Sequence, residues 1–355
     1  MATGGQRPAQ GGDERRNSGL SGARSCDERV RLPLPHSRPL RTTEPTASMI
    51  RVVKPGFFTT VQDRGRYGYA HLGVSPSGAA DALSFRIANL LVGNDENAPA
   101  LEMTLVGATL EFEENAVVAI TGAECECQSG PDRMPLNAAF ELHAGAVLQC
   151  GSMVVGARCY LAVQGGFDVP LVMGSASTLT AAHLGGFQGR RLQRGDVLPI
   201  RPRRGSKVRS LRSAALDAKH LDGALRVTKG AQEDWFAPEA FEKLLSSTYV
   251  VSEQSDRAGL RLKGAAVRPR EQAELLTDGI PLGAIQVPQD GQPIILFVDQ
   301  QTTGGYPKIA NVIAADMHRV GQLRPRDQVR FAELTIAEAV RMLREQEQWV
   351  KEAFE

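Results

Sequence analysis

No stretch of the 355-residue chain approaches the roughly 18 consecutive apolar residues that a membrane-spanning helix requires. No membrane association is therefore expected. Neither sign of charge is in excess, since 41 Lys and Arg face 40 Asp and Glu. Eight Arg and five acidic residues fall within residues 1–48, which leaves the remainder at a net charge of −2. Aromatic residues make up 5% of the chain and form no stripe with basic ones, so nucleic acid is not an expected partner. Cysteine is scarce: Cys26, Cys125, Cys127, Cys150 and Cys159. An odd count in a long chain without a signal peptide excludes a disulfide framework and points to reduced thiols in the cytoplasm. Cys125 and Cys127 share one face of a strand, which favours buried packing over zinc binding, and no metal site is expected. The spaced glycine and Lys-Ser/Thr ending of a P-loop are missing.

What is present is the composition of a globular protein, 42% apolar and 23% charged, at a length that allows roughly two domains. Residues 1–48 lack apolar periodicity and are rich in Gly, Arg, Ser and Pro, which predicts a disordered extension. Their acidic residues argue against a transit peptide. Met49 stands just before the first strand-like run and fits the start of the folded part.

Residues 49–200 read as short strands separated by glycine-rich turns, with one helix carrying Leu83, Ile87, Leu90 and Leu91 on its apolar face. Ser77 is a candidate cap for that helix, and Asp81 can support its start. Asp63, Arg66 and Asp81 fall in loops; Asp63 and Arg66 either serve a ligand or form a structural ion pair. Residues 201–224 carry Arg201, Arg203, Arg204, Lys207, Arg209 and Arg212 and few large apolar residues, the pattern of a basic linker. A second domain is expected over 225–335. It holds a helix with Pro238 in its first turn and Phe241, Leu244 and Leu245 facing inward. Asp256 and Arg257 lie in a polar loop, and Gln286 lies in a short strand, where its amide either meets a ligand or bonds to backbone. Thr335 and Glu338 form a capping box for a helix over 336–355, packed down by Ile336, Val340, Leu343 and Trp349.

The most informative stretch is Pro293–Asp316. An apolar run, 293–298, predicts a buried strand, and Ile309, Val312, Ile313 and Met317 recur at helical spacing. Between them lie Asp299, Gln301, Thr302, Gly304, Gly305, Tyr306 and Lys308. A glycine pair admits close backbone approach, a helix N-terminus offers unpaired N–H donors, and Lys308 adds a full positive charge. Asp299 can accept or hold a proton. The arrangement suits an anionic substrate or a developing oxyanion; the alternative is a plain strand–turn–helix connection.

Taken in order, KPGFFTTVQDRGRYGYAHLGVSPSGAAD (54–81), VGNDENAPALEMTLVGATLEF (92–112), AVVAITGA (116–123), RCYLAVQGGFDVP (158–170), GRRLQRGDVL (189–198), SDRAGLRLKG (255–264), DGIPLGAIQVPQDGQPI (278–294) and DQQTTGGYPKIANVIAAD (299–316) resemble one family. It is that of the C subunit of bacterial 5-oxoprolinase, also called allophanate hydrolase subunit 2 or the biotin-dependent carboxyltransferase family. Small departures are Ser75 before Pro76 and Ala258 where methionine is frequent. The resemblance implies a β-rich α+β fold of two cyclophilin-like β-barrel domains with a few peripheral helices. It implies ATP-dependent opening of 5-oxo-L-proline to L-glutamate together with 5-oxoprolinase subunits A and B. A carboxyltransferase alternative moves a carboxyl group from carboxybiotin to an amide such as urea. A third reading is a regulatory protein that sequesters the B subunit, of the kinase-inhibitor antagonist type. On the first reading Asp299 orients or deprotonates the amide, Lys308 stabilises negative oxygen, and Tyr306 and Gln301 hydrogen-bond the substrate. Thr302, Gly304, Gly305, Gln286, Asp256, Arg257, Asp63 and Arg66 are candidate substrate- or ATP-binding residues.

Overall fold

The structure is a computed structural model and describes residues 48–202, 207–212, 223–270 and 276–354. The expected disordered extension lies, apart from Ser48, outside the described residues, as does most of the expected basic linker.

The first sheet is built from β1 (Met49–Lys54), β2 (Phe58–Gln62), β3 (Ala100–Thr104), β4 (Thr109–Phe112), β5 (Ala116–Ser129), β6 (Asp132–Arg133), β7 (Ala139–Leu142), β8 (Val147–Val163) and β9 (Val197–Pro199). Its main path runs β2-β3-β8-β4-β1-β9, with β5 laid along β8. β8 is long enough to pair with β4 at one end and β3 at the other, so it bends the sheet into a half-barrel. The β5–β8 ladder slips register between Gly122 and Cys127. Such bulges are how a long antiparallel pair turns a corner. Helix α1 (Ala82–Leu91) packs Phe85, Ile87, Ala88 and Leu91 over the sheet, against Ala119, Tyr160 and Ala162. Its N-cap is Asp81, whose carboxylate accepts from the Ser84 N–H at 2.9 Å; the expected cap, Ser77, instead donates to the Thr178 carbonyl.

The second sheet comprises β10 (Leu225–Lys229), β11 (Tyr249–Val251), β12 (Gly259–Lys263), β14 (Ala284–Gln286), β15 (Ile294–Leu296), β17 (Lys308–Val312), β18 (Gln328–Val329) and β19 (Phe331–Glu333), while β13 (Asp278–Gly279) and β16 (Thr303–Gly304) form a small ladder of their own. Its order is β18-β11-β12-β15-β14-β17-β10-β19. The two end strands are separated in sequence only by Arg330, so the sheet curls almost to closure. Helix α2 (Pro238–Ser246) starts on Pro238, whose missing N–H costs nothing in a first turn, and buries Phe241 and Leu244. The strand-rich architecture with two barrel-like sheets is as expected from the sequence.

One expected element is different. The segment after the 299–308 loop is not a helix; Lys308–Val312 is the central strand β17, paired with β10 and β14. Four of its five residues are buried, so the apolar positions satisfy a helical spacing by covering both faces of a strand. The helix comes later, as α3 (Met317–Gln322).

Helix α3 joins the two halves. Gly321 lies against the backbone of Ala80, and a Cβ there would stand 2.4 Å from the Ala80 carbonyl oxygen. The neighbouring Gln322 inserts its amide into the β5–β8 bulge, accepting from the N–H groups of Ala157 and Arg158 and donating to Asp81 and the Arg158 carbonyl. Gly156 makes room, because a Cβ would come within 2.6 Å of that amide oxygen. Helix α4 (Ile336–Glu352) has the expected Thr335–Glu338 capping box, and its Glu347 takes a bidentate pair from Arg86 of α1. Of its expected packing residues, Ile336 and Val340 are exposed; contact is made nearer its end by Trp349, Val350 and Phe354. No described helix is long and apolar enough to cross a membrane.

Two outcomes follow for stability. Alanine at an unhindered helical glycine stabilises by up to about 1 kcal/mol. Gly321→Ala is expected to destabilise instead, by about 1–3 kcal/mol, because backbone must move to admit the methyl group; urea unfolding gives the sign. Asp316, fully buried, accepts from the Arg226 N–H at 2.8 Å, the Arg226 guanidinium and Arg319 at 3.1 Å. Burial opposes its charge, but these partners outweigh it and hold the carboxyl below its ordinary range. The stabilisation is present above the unfolded carboxyl pKa of about 4 and is lost as pH falls through the lower folded value. Asp316→Asn should cost about 3–5 kcal/mol at pH 7 and flatten the acid limb of the stability curve.

Candidate active site: a charge network between the sheets

Asp299 lies three residues beyond the end of β15, and its N–H donates to the Arg257 carbonyl at 2.8 Å. The Arg257 side chain returns the contact with two bonds, Nε to Oδ2 at 2.8 Å and Nη2 to Oδ1 at 3.1 Å. Its remaining donors cross to the first half, reaching the Gly78 carbonyl at 2.7 Å and the Glu102 carboxylate. Arg257 is buried, and burial alone would weaken its charge; Asp299 and Glu102 reverse that and push its pKa up. Glu102, on β3, accepts from the Ala80 N–H at 2.8 Å and the Tyr160 hydroxyl at 2.7 Å. Burial penalises its carboxylate, but Arg257 and then Arg158 hold it ionised. Burial and the Glu102 charge push the Tyr160 hydroxyl up, so it remains a donor. Arg158 stacks over Phe297, 5.7 Å from the ring centroid.

Asp63 is as fully engaged. It accepts from the N–H groups of Gly65 and Ala176 at 2.8 and 2.6 Å, and from the hydroxyls of Ser175 and Ser177. The ion pair offered as one reading of Asp63 and Arg66 is not formed; Ser177 stands between them, its hydroxyl on Asp63 and its carbonyl on Arg66 Nη2. Arg66 is 1% exposed, yet its Nε and Nη1 have no hydrogen-bond partner. Burial lowers its pKa, against the pull of Asp63 and Asp299. A buried guanidinium with free donors is able to bind an anion at full strength.

The 299–308 loop does not assemble as expected. Lys308, 2% exposed, pairs with Asp278 at 2.8 Å, while Asp299 pairs with Arg257. Because β17 follows, no helix N-terminus adds to the Lys308 charge, and the Lys308 N–H is taken by the Gln232 side chain. Gly304 pairs with Asp278 in the small ladder, and a Cβ on it would strike the Gln301 amide at 2.7 Å and the Gln286 amide at 3.1 Å. Gln286 donates to the Tyr306 carbonyl, the backbone role that was one of its two readings. The Thr302 carbonyl accepts from Ile280, Gly305 is half-buried, and the Tyr306 ring is exposed. Asp256 closes its own turn by accepting from Ala258 and Gly259 at 2.8 and 3.1 Å. Asp63, Arg66, Arg257 and Asp299 thus belong to one charged region, and Lys308, Gly304, Gln286 and Gln301 to another.

Beside the first region lies a cavity of 190 Å³, bordered by Ser77, Ala80, Phe297, Val298, Gln300 and His318. Gln300 donates to the Ile280 carbonyl, while its buried Oε1 has no partner. Burial lowers the His318 pKa, so its ring is neutral near pH 7. Ser75, one of the departures from the family pattern, donates to the Gln300 carbonyl and fixes the loop. Glu102, Arg158, Tyr160, Gln300, Gln322 and Asp278 were not singled out from the sequence. For Glu102 a signal existed, a lone carboxylate in the apolar run LEMTL (101–105).

Comparison with known proteins gives the family. The carboxyltransferase domain, subdomain A and B, matches residues 72–333. The chain is 40% identical over 304 residues to the C subunit of 5-oxoprolinase from Escherichia coli K12, spanning 86% of this chain and 97% of that protein. It is 36% identical over 302 residues to the corresponding 5-oxoprolinase protein of Haemophilus influenzae, spanning 84% and 96%. The urea carboxylase structure of Kluyveromyces lactis superposes with a TM-score of 0.81 at 32% identity, covering 87% of this chain and 29% of that one. With its two barrel-like sheets and the match running through both, the chain belongs to the carboxyltransferase domain family, subdomains A and B.

Proposed function

We propose that the chain is the C subunit of an ATP-dependent 5-oxoprolinase, opening 5-oxo-L-proline to L-glutamate with subunits A and B. The observation that carries this reading is coverage: the similarity to the E. coli protein spans 97% of a separate polypeptide. The urea carboxylase likeness spans 29% of a larger chain.

The chemistry asks for a group that holds the substrate carboxylate, one that orients the lactam N–H, and donors for negative charge developing on the lactam oxygen. Arg66 supplies the first through its two free donors. Asp299, fixed by the bidentate Arg257 contact, accepts the lactam N–H and takes its proton as the lactam oxygen becomes nucleophilic. Tyr306 in the neighbouring loop and Lys308 at the start of β17 are assigned to stabilise negative oxygen. The 299–308 loop leads into a strand and offers no helix N-terminus for a phosphate. This reading assigns the nucleotide to a partner polypeptide.

The test is glutamate release from 5-oxoproline and ATP by the chain purified with subunits A and B. Asp299→Asn should lower kcat by about 10²–10⁴-fold with the complex intact, the scale of a lost general base. Arg257→Lys, which cannot bridge both carboxylates in the same plane, should give a smaller loss together with lower stability. Full activity in Asp299→Asn and Lys308→Ala would overturn the catalytic assignment and favour a regulatory binding role. Carboxyl transfer from carboxybiotin to an amide, without glutamate release, would favour the carboxyltransferase reading.

A further inference from the structure

Four of the five cysteines gather where β5 bends over β8. Cys125 and Cys127 share a face of β5, and the register slips on either side of Cys125 bring their sulfurs to 3.5 Å. Cys159 of β8 lies 3.9 Å from Cys125, and Cys150 is the cross-strand register partner of Cys127. All four are reduced and buried. A buried thiol ordinarily behaves as a small, unreactive apolar side chain. Cys125 departs from that pattern in two ways. It borders a surface cleft of 280 Å³ with Arg133, Met134, Pro135 and Leu136, the side from which a small solute would approach it. Its 3.5 Å hydrogen-bond contact with Cys127 also holds its pKa below that of an ordinary thiol despite burial. Contact with Cys125, together with burial, pushes Cys127 and Cys159 up. The cluster therefore pairs one thiolate-prone sulfur at a cleft with protonated neighbours behind it.

We propose that Cys125 is a modification site for small hydroperoxides, and that Cys127 closes the oxidised form as an intrachain disulfide. The Cys125 thiolate attacks the outer peroxide oxygen, the O–O bond breaks, and a sulfenic acid and an alkoxide or hydroxide result. Cys127 then attacks the Cys125 sulfur; the S–O bond breaks and the departing oxygen leaves as water with the Cys127 proton. Two thiols lose two electrons, and one hydroperoxide becomes an alcohol, or water, plus water. The two sulfurs need to close only from 3.5 Å to the roughly 2.05 Å of a disulfide.

The test uses the full chain carrying Cys26→Ser, so that the fifth thiol does not interfere, treated with hydrogen peroxide and then alkylated and mapped by peptide mass spectrometry. The expected result is loss of two hydrogens from the peptide carrying Cys125 and Cys127. Cys127→Ser should abolish that loss and leave a dimedone-reactive sulfenic acid on Cys125, whereas Cys159→Ser should still form the disulfide. Native alkylation of Cys125 ahead of Cys150 and Cys159, measured on the unoxidised parent, checks cleft access without relying on any variant's folding. Cys125 that reacts only after denaturation, or a cross-link that survives Cys127→Ser, would overturn the proposal.

Discussion

Arg257 is the hinge of the molecule's electrostatics. One guanidinium binds Asp299 of its own half through two nitrogens and reaches Glu102 and the Gly78 carbonyl of the other half. A planar fork of five donors can do this; a lysine, with a point charge on a flexible stem, cannot hold both carboxylates in register. Glu102 in turn gathers Tyr160, Arg158 and the Ala80 N–H. Removing one member would leave buried charge without compensation, which is costlier than the pair itself is stabilising. The consequence is geometric: Asp299 is oriented by a contact that also ties the two halves together.

The second tie is made of amide rather than charge. Gln322 occupies a notch in the β5–β8 ladder that exists because Gly156 and Gly122 carry no side chain there. Since Gln322 also donates to Asp81, the cap of α1, the helix that covers the first sheet is positioned from the second half. Charge and amide contacts together set the loops 73–81 and 299–308, which border the cavity. Position in the site is thus inherited from the junction of two sheets rather than from a single loop.

The thiol cluster lies on the same two long strands that carry this junction, and Cys159 sits between Arg158 and Tyr160 in β8. Next to the irregularity that admits Gln322, further register slips on either side of Cys125 crowd the cysteines, because such slips change which side chains face each other. Successive irregularities in one strand pair therefore serve a docking contact and a cluster of sulfur atoms.

Local pattern was enough to read strand-rich halves, the α1 and α2 faces, the Thr335–Glu338 cap and the run of family loops, since each depends on neighbours in sequence. Asp63, Arg66, Arg257 and Asp299 were also visible as polar residues in loops. Their partners were not. Whether Asp299 meets Lys308 or Arg257 depends on which strands lie side by side, and strand pairing is a long-range matter of register that apolar spacing does not encode. The same limit explains β17: a central strand covered on both faces shows no alternation, so Ile309, Val312 and Ile313 imitate a helix until the neighbouring strands are in place. Composition and local periodicity determined what each segment is made to bury, and the tertiary structure alone decided which charges would face each other, because that choice is made between residues up to 261 positions apart.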